Sequence, residues 1–160
     1  YELEIGCVIG KEGRDVAAAD AMNYIAGFML FNDWSARDLQ VDEMAFGLGP
    51  AKGKDTASSI GPWLVTTDEI PDPGALTVTT RLNGEQMQFG EFNDVAFGIP
   101  ALISYVSQAL PWCPGDVIVT GTPGGVGFKR KPPIFLKEGD LVEVEVNLVG
   151  TLANSVANEI

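Results

Sequence analysis

Glutamates and apolar residues alternate with period two at the start of the chain, where YELEIGCVI (1–9) sets Glu2 and Glu4 against Leu3 and Ile5. That alternation predicts a strand with both carboxylates on one face. Asp15 is placed to cap a helix running to about residue 24, with Val16, Ala19, Met22 and Asn23 at helical spacing. The apolar run from Gly27 through FMLFNDW reads as a buried strand ending near Asp33, and SARDLQVDEM as a short helix or turn after it. Residues 48–62, LGPAKGKDTASSIGP, read as loop, and 63–66 as a strand. Segments 76–82 and 85–89 flank Asn83-Gly84, the pair that supplies both positive-φ residues of a type I′ hairpin. Ile99, Leu102, Ile103, Val106 and Leu110 mark an amphipathic helix, with Pro100 suited to its first turn. Residues 116–120 form a strand leading into TGTPGGVG, and 141–148 a closing strand. No internal repeat, low-complexity tract or linker divides the 160 residues, so one domain is expected.

Composition sharpens this picture. Nineteen glycines and ten prolines favour many turns and short strands over a helical bundle. Ten basic against twenty-two acidic residues give a formal charge of −12, a field that repels nucleic acid and anionic membranes and attracts cations. An anionic substrate therefore needs a local reversal of sign, from a metal or from well-placed Lys and Arg. Cys7 and Cys113 match no zinc spacing and read as two buried thiols in a reducing compartment. The longest apolar run, 25–31, is far short of a membrane span, and no signal-peptide pattern is present. A cytoplasmic protein is expected. The chain contains no histidine, which removes imidazole bases, Ser-His-Asp catalysis and His-ligated zinc from its own repertoire. It opens at Tyr1 inside a strand pattern, so an upstream segment is also expected.

The carboxylates carry the candidate chemistry. Glu2 and Glu4 sit roughly 7 Å apart on one strand face, within reach of a single ion. Spacing alone is weak evidence, because Glu143 and Glu145 share it and read as a solvated strand face. Asp33 adds to the first pair, being presented from apolar surroundings where an unpaired charge is costly. Three carboxylates without His or Cys form a hard oxygen set that suits Mg²⁺, Mn²⁺ or Ca²⁺. Helix capping by Asp33 with ordinary surface glutamates is the competing reading.

Five blocks in order, YELEIG, FNDWSARDLQ, GPAKGKDTASSIGPWLVT, NGEQMQFGEFND and PGDVIVTGTPGGVG, resemble successive motifs of the fumarylacetoacetate hydrolase family, and the resemblance covers nearly the whole chain. It implies an α+β fold, a mixed β-sandwich roll with peripheral helices like the family's C-terminal catalytic domain. It implies that Glu2, Glu4 and Asp33 hold the metal and that Lys54, with Lys52 close by, is the active-site lysine. Arg37, Gln40 and Thr122 fall near the substrate, and Ser58 stands where some members carry a threonine close to metal and lysine. The glycine-rich loop 121–127 lacks a nucleotide-loop ending, yet its N–H groups are of the kind that face a substrate carboxylate.

The implied activity is divalent-metal-dependent hydrolysis of a C–C bond in a 2-oxo or 1,3-dioxo carboxylic acid, acylpyruvate-like or from aromatic ring fission. Metal and lysine would stabilise the enolate that forms. Decarboxylation or isomerisation at the same site is the nearest alternative, and a metal- and keto-acid-binding domain without turnover is the alternative of another class. Hydrolytic members use a His–Glu pair upstream of the first acidic motif, which this chain does not contain. The resemblance also implies a homodimer.

Overall fold

A computed structural model of the chain describes residues 1–47, 49–55 and 57–158. The α+β arrangement expected from the sequence is present as two four-stranded sheets, and every pairing between their strands is antiparallel. Strands β1 (Leu3–Ile9), β2 (Ile25–Asp33), β3 (Ser58–Thr66) and β6 (Val117–Val119) form the first, in the order β3-β2-β1-β6. Strands β4 (Thr77–Leu82), β5 (Glu85–Glu91), β7 (Leu141–Val146) and β8 (Gly150–Ser155) form the second, ordered β5-β4-β7-β8. Helices α1 (Arg37–Ala45), α2 (Lys52–Asp55) and α3 (Ile99–Ala109) lie between the strands in sequence.

The core lies between the sheets. Leu3, Ile5, Phe28 and Leu30 from one sheet and Val142, Val144 and Val146 from the other are all essentially inaccessible, and they belong to one apolar cluster. Burying each such side chain stabilises the fold by about 1.5–3 kcal/mol. The period-two pattern of β1 is thereby explained: Leu3 and Ile5 face this core, and register is pinned because a one-residue slip would drive both glutamates into it. The Asn83-Gly84 hairpin forms as expected, with φ of 51° and 83°.

Several local expectations change. Asp15 caps nothing; it has φ 51°, and its N–H donates to the Ser107 carbonyl while Val16 N–H donates to Ser107 Oγ. Attachment to α3 has displaced the local cap, and the helix that follows is a 3-10 segment, Ala18–Tyr24. The loop expected over 48–62 contains α2 and the first half of β3, with Leu48 and Thr56 outside the described residues. Leu110 follows the last turn of α3 and is 65% exposed, so the apolar face of that helix ends at Val106. Cys7 is buried but Cys113 is exposed, against the expectation of two buried thiols. The strand at 141–146 is followed by β8, which the alternation did not mark. No helix among the described residues is long and apolar enough to cross a membrane.

Candidate metal centre

Register builds the centre. Leu3 lies opposite Asn32 and Glu4 opposite Phe31, and the Asp33 N–H donates to the Glu2 carbonyl at 2.8 Å, which sets Asp33 beside Glu2. Alternation then places Glu2, Glu4 and Asp33 on the same face at one end of the sheet. One carboxylate oxygen from each lies within 4.8 Å of the other two. Asn32, fully buried, accepts the Glu2 N–H at 3.0 Å and helps fix the β1–β2 end from beneath.

Two cations reach the cluster from the helices. Lys54 Nζ donates to Glu2 Oε2 and Asp33 Oδ2, both at 2.7 Å, and to Ser35 Oγ at 2.8 Å. Arg37 donates through Nη2 to Glu2 Oε1 and through Nη1 to Gln40 Oε1, the latter at 2.6 Å, with its guanidinium 5.7 Å from the centre of the Phe128 ring. The side chains of Glu2, Asp33, Arg37 and Lys54 are at most 20% exposed, so these pairs are screened far less than ordinary surface ion pairs.

The titration behaviour follows. For Glu2, burial works against ionisation, but the hydrogen bonds from Lys54 and Arg37 hold its carboxyl below the ordinary range. For Lys54, burial again opposes the charge, and the bonds to Asp33 and Glu2 keep the ammonium protonated above its usual value. Glu4 is the outlier. Burial, followed by repulsion from Asp33 and Glu2, pushes its carboxyl up to about 7 despite a hydrogen bond from Gly121 N–H at 2.6 Å. Three carboxylates face two cations, and the surplus negative charge falls where solvation is poorest. An all-oxygen donor set with this imbalance fits a hard divalent ion.

The structure thus brings Glu2, Glu4, Asp33, Arg37 and Lys54 together, with Gln40 half-buried as the group that orients Arg37. Thr122 is not bonded to any of these. It lines a cleft of about 460 Å³ that it shares with Glu4, and its Oγ1 accepts from Gln88 Nε2 at 2.9 Å. Ser58 pairs with Asp33 across β2 and β3 but is exposed, and among the described residues its hydroxyl bonds to none of the cluster. Its neighbour Ser59 is engaged instead, accepting from Trp34 Nε1 at 2.8 Å. The first N–H of the glycine-rich loop is taken by the Glu4 carboxylate itself, not left free for a ligand. Of the second acidic pair, Glu145 bonds Arg81 at 2.5 Å, on the other sheet.

Three side chains enter the site without having been singled out by the sequence. Ser35 holds Lys54, as above. Glu43, on α1, accepts the N–H groups of Ala51, Lys52 and Gly53 at 2.9, 2.6 and 3.0 Å, and so clamps the start of α2. These three donors hold its carboxyl below the ordinary range. Gly53 packs against Gln40, where a Cβ would come within 2.9 Å of the α1 backbone. Gln88 is the third. Spacing does not mark Glu43, which stands six residues beyond Arg37 in the same helix and so off that residue's face.

Comparison with known proteins places the chain in company. The family described as fumarylacetoacetate (FAA) hydrolase C-terminal matches residues 1–157. The human protein named oxaloacetate tautomerase FAHD2A, mitochondrial, is 46% identical over 156 residues, covering 98% of this chain and 50% of that protein. The chain spans about half the length of the curated relatives it matches. Among solved structures, a fumarylacetoacetate hydrolase from psychrophilic Exiguobacterium antarcticum superposes with a TM-score of 0.94 at 36% identity, over 99% of this chain and 56% of that one. Fumarylpyruvate hydrolase from Pseudomonas aeruginosa, solved with Mn²⁺ and pyruvate, gives a TM-score of 0.90 at 28% identity, over 99% and 66%.

Proposed function

The chain belongs to the fumarylacetoacetate hydrolase family, and from that premise we propose that it is the catalytic part of a divalent-metal enzyme acting on a small 2-oxo or 1,3-dioxo carboxylic acid. The observation that carries this reading is the convergence of Glu2, Glu4 and Asp33 within 4.8 Å, with Lys54 Nζ 2.7 Å from two of them. Bound by those three carboxylates, Mg²⁺ or Mn²⁺ would supply positive charge to the oxygens of a keto acid and its enolate. The Pseudomonas fumarylpyruvate hydrolase, in complex with Mn²⁺ and pyruvate, supports that ligand class.

The chain's own residues supply the rest. Lys54 enters as a charged donor rather than as a base, because its carboxylate partners keep the proton on Nζ. Arg37 is aimed by Gln40 and pinned to Glu2, so its guanidinium meets an anionic substrate without having to be ordered first. The three carboxylates outnumber these two cations, so the local reversal of sign that a chain of net charge −12 needs would come with a divalent ion bound beside them.

Among reactions that pass through an enolate, keto–enol tautomerisation of a 2-oxo dicarboxylic acid asks least of this chain: a carboxylate takes a proton from carbon and gives it to oxygen, and no water is activated. Likeness to the human oxaloacetate tautomerase supports it. Hydrolysis of an acylpyruvate-like C–C bond is the second reading, favoured by likeness to the fumarylpyruvate hydrolase. It asks in addition for activation of a water, for which the site of this histidine-free chain offers only carboxylates, Lys54 being held protonated. A homodimer and a cytoplasmic location belong to the same proposal, although the human relative is named as mitochondrial.

Incubating the intact protein with oxaloacetate or an acylpyruvate, with Mg²⁺ or with chelator, separates the readings. Metal-dependent relaxation of the enol absorbance without new products supports tautomerisation, and pyruvate plus a second acid from the acylpyruvate supports hydrolysis. No change in either substrate refutes the enzymatic proposal.

A further inference from the structure

Gln88 lies on β5 and is 1% exposed, yet all its polar atoms are used. Its Oε1 is 3.3 Å from Leu3 N and 2.9 Å from Thr80 Oγ1; its Nε2 is 2.9 Å from both the Pro123 carbonyl and Thr122 Oγ1. Two of these partners have only one possible polarity. A backbone N–H only donates, and a carbonyl only accepts, so Leu3 and Pro123 between them fix which end of the amide is oxygen and which is nitrogen. Turning the amide over would set donor against donor at Leu3 and acceptor against acceptor at Pro123, in a place that water does not reach.

With the amide fixed, the hydroxyls have no freedom on that side. Thr80 must donate to Oε1. Thr122 must accept from Nε2, so its single proton points away from Gln88. Among the described residues no acceptor takes that proton. Thr122 is half-buried in the wall of the cleft it shares with Glu4 and Gly121, and that cleft is the open side.

We propose that Gln88 is a positioning residue that turns the Thr122 hydroxyl proton away from itself and toward the Glu4 cleft, where it donates to an anionic oxygen of the bound acid. The hydrogen-bond polarity is a property of the protein alone; the ligand role rests on the keto-acid reading above. The device favours acceptor oxygens. A ligand presenting an N–H or O–H at that point would have only the second lone pair of Oγ1 to use and would leave the hydroxyl proton without a partner among the described residues. Gln88 also ties the 121–124 loop to β1, the strand that carries Glu4.

Two measurements test this. Neutron diffraction from deuterated wild-type crystals should show an amide deuteron of Gln88 directed at Thr122 Oγ1 and the Thr122 hydroxyl deuteron directed away from Gln88; the hydroxyl deuteron directed at Gln88 would overturn the polarity. Calorimetry with oxalate in saturating Mg²⁺ reads the ligand role. Thr122→Val and Gln88→Met should each weaken oxalate on the order of tenfold, the double variant no further, with Mg²⁺ affinity in the absence of oxalate unchanged. A folded Gln88→Met protein that binds oxalate as tightly as wild type, or losses that add in the double variant, would show Gln88 to be merely structural. An unaffected Thr122→Val protein would remove Thr122 from the ligand while leaving the keto-acid reading in place. Failure of wild type to take up oxalate with Mg²⁺ would overturn that reading and the ligand role with it, and the deuteron would still decide the polarity.

Discussion

Replacing Glu4 by Gln should make the metal-free protein more stable at pH 8 while removing its response to metal. Glu4 is 6% exposed and its carboxyl is pushed up to about 7, against an ordinary value of 4.5. Between those two values the folded chain holds a proton that the unfolded chain has released, so stability falls as pH rises across the window and levels off above it. A separation of 2.5 between 7 and 4.5 corresponds to about 3 kcal/mol at pH 8, and to less than about 1 kcal/mol at pH 5. Gln keeps the carbonyl that accepts Gly121 N–H and cannot ionise. Urea unfolding with chelator, at pH 5 and pH 8, should show the variant gaining about 2–3 kcal/mol on wild type between the two. Titrating groups distant from Glu4 cancel in the comparison. Saturating Mn²⁺ at pH 8 should then raise wild type and leave the variant where it was. Parallel stability curves across this range, or equal responses to Mn²⁺, would refute the claim that Glu4 is a buried charge awaiting a cation.

Asp33→Ala should abolish metal-dependent turnover, whereas Glu143→Ala, on the strand face of the second sheet, should leave it nearly intact; equal losses would dissolve the distinction between the two acidic pairs. Lys54→Met should lower turnover by on the order of a hundredfold with metal affinity little changed, as expected for a donor that acts on developing charge, and an unaltered rate would remove it from the chemistry. Glu43→Ala should lower turnover without altering Mg²⁺ affinity, because it frees the start of α2 and with it the reach of Lys54; a rate equal to wild type would show that α2 holds its place unaided.

The parts of the fold that could be read from the chain are those where local chemistry and tertiary packing agree. Asn83-Gly84 dictates its hairpin through backbone conformation alone, and the alternation of β1 survives because the same period that buries Leu3 and Ile5 turns Glu2 and Glu4 to the opposite face. The carboxylates of the centre were legible for that reason, and Asp33 because a charge ending an apolar strand demands a partner. Lys54 over Lys52, Gln40 and Thr122 were legible only through family resemblance, since a loop lysine, a helix glutamine and a strand-end threonine carry no mark of their own. What stayed hidden depends on groups distant in sequence. The α2 turn sits in glycine-rich text that has no helical propensity, and it is held by a carboxylate eight to ten residues upstream. Asp15 has the residue type of a cap, but bonds from its own segment to Ser107 decide its conformation. Gln88 looks like any polar residue in a hairpin until the two sheets close over it.

The most direct test of the account is calorimetric titration of the intact, chelator-treated protein with Mn²⁺ at pH 8, beside its Asp33→Asn variant. The account predicts one ion per chain for wild type and at least a hundredfold weaker binding for the variant, an order-of-magnitude expectation for loss of one charged ligand. No uptake by wild type, or equal uptake by both, would contradict it.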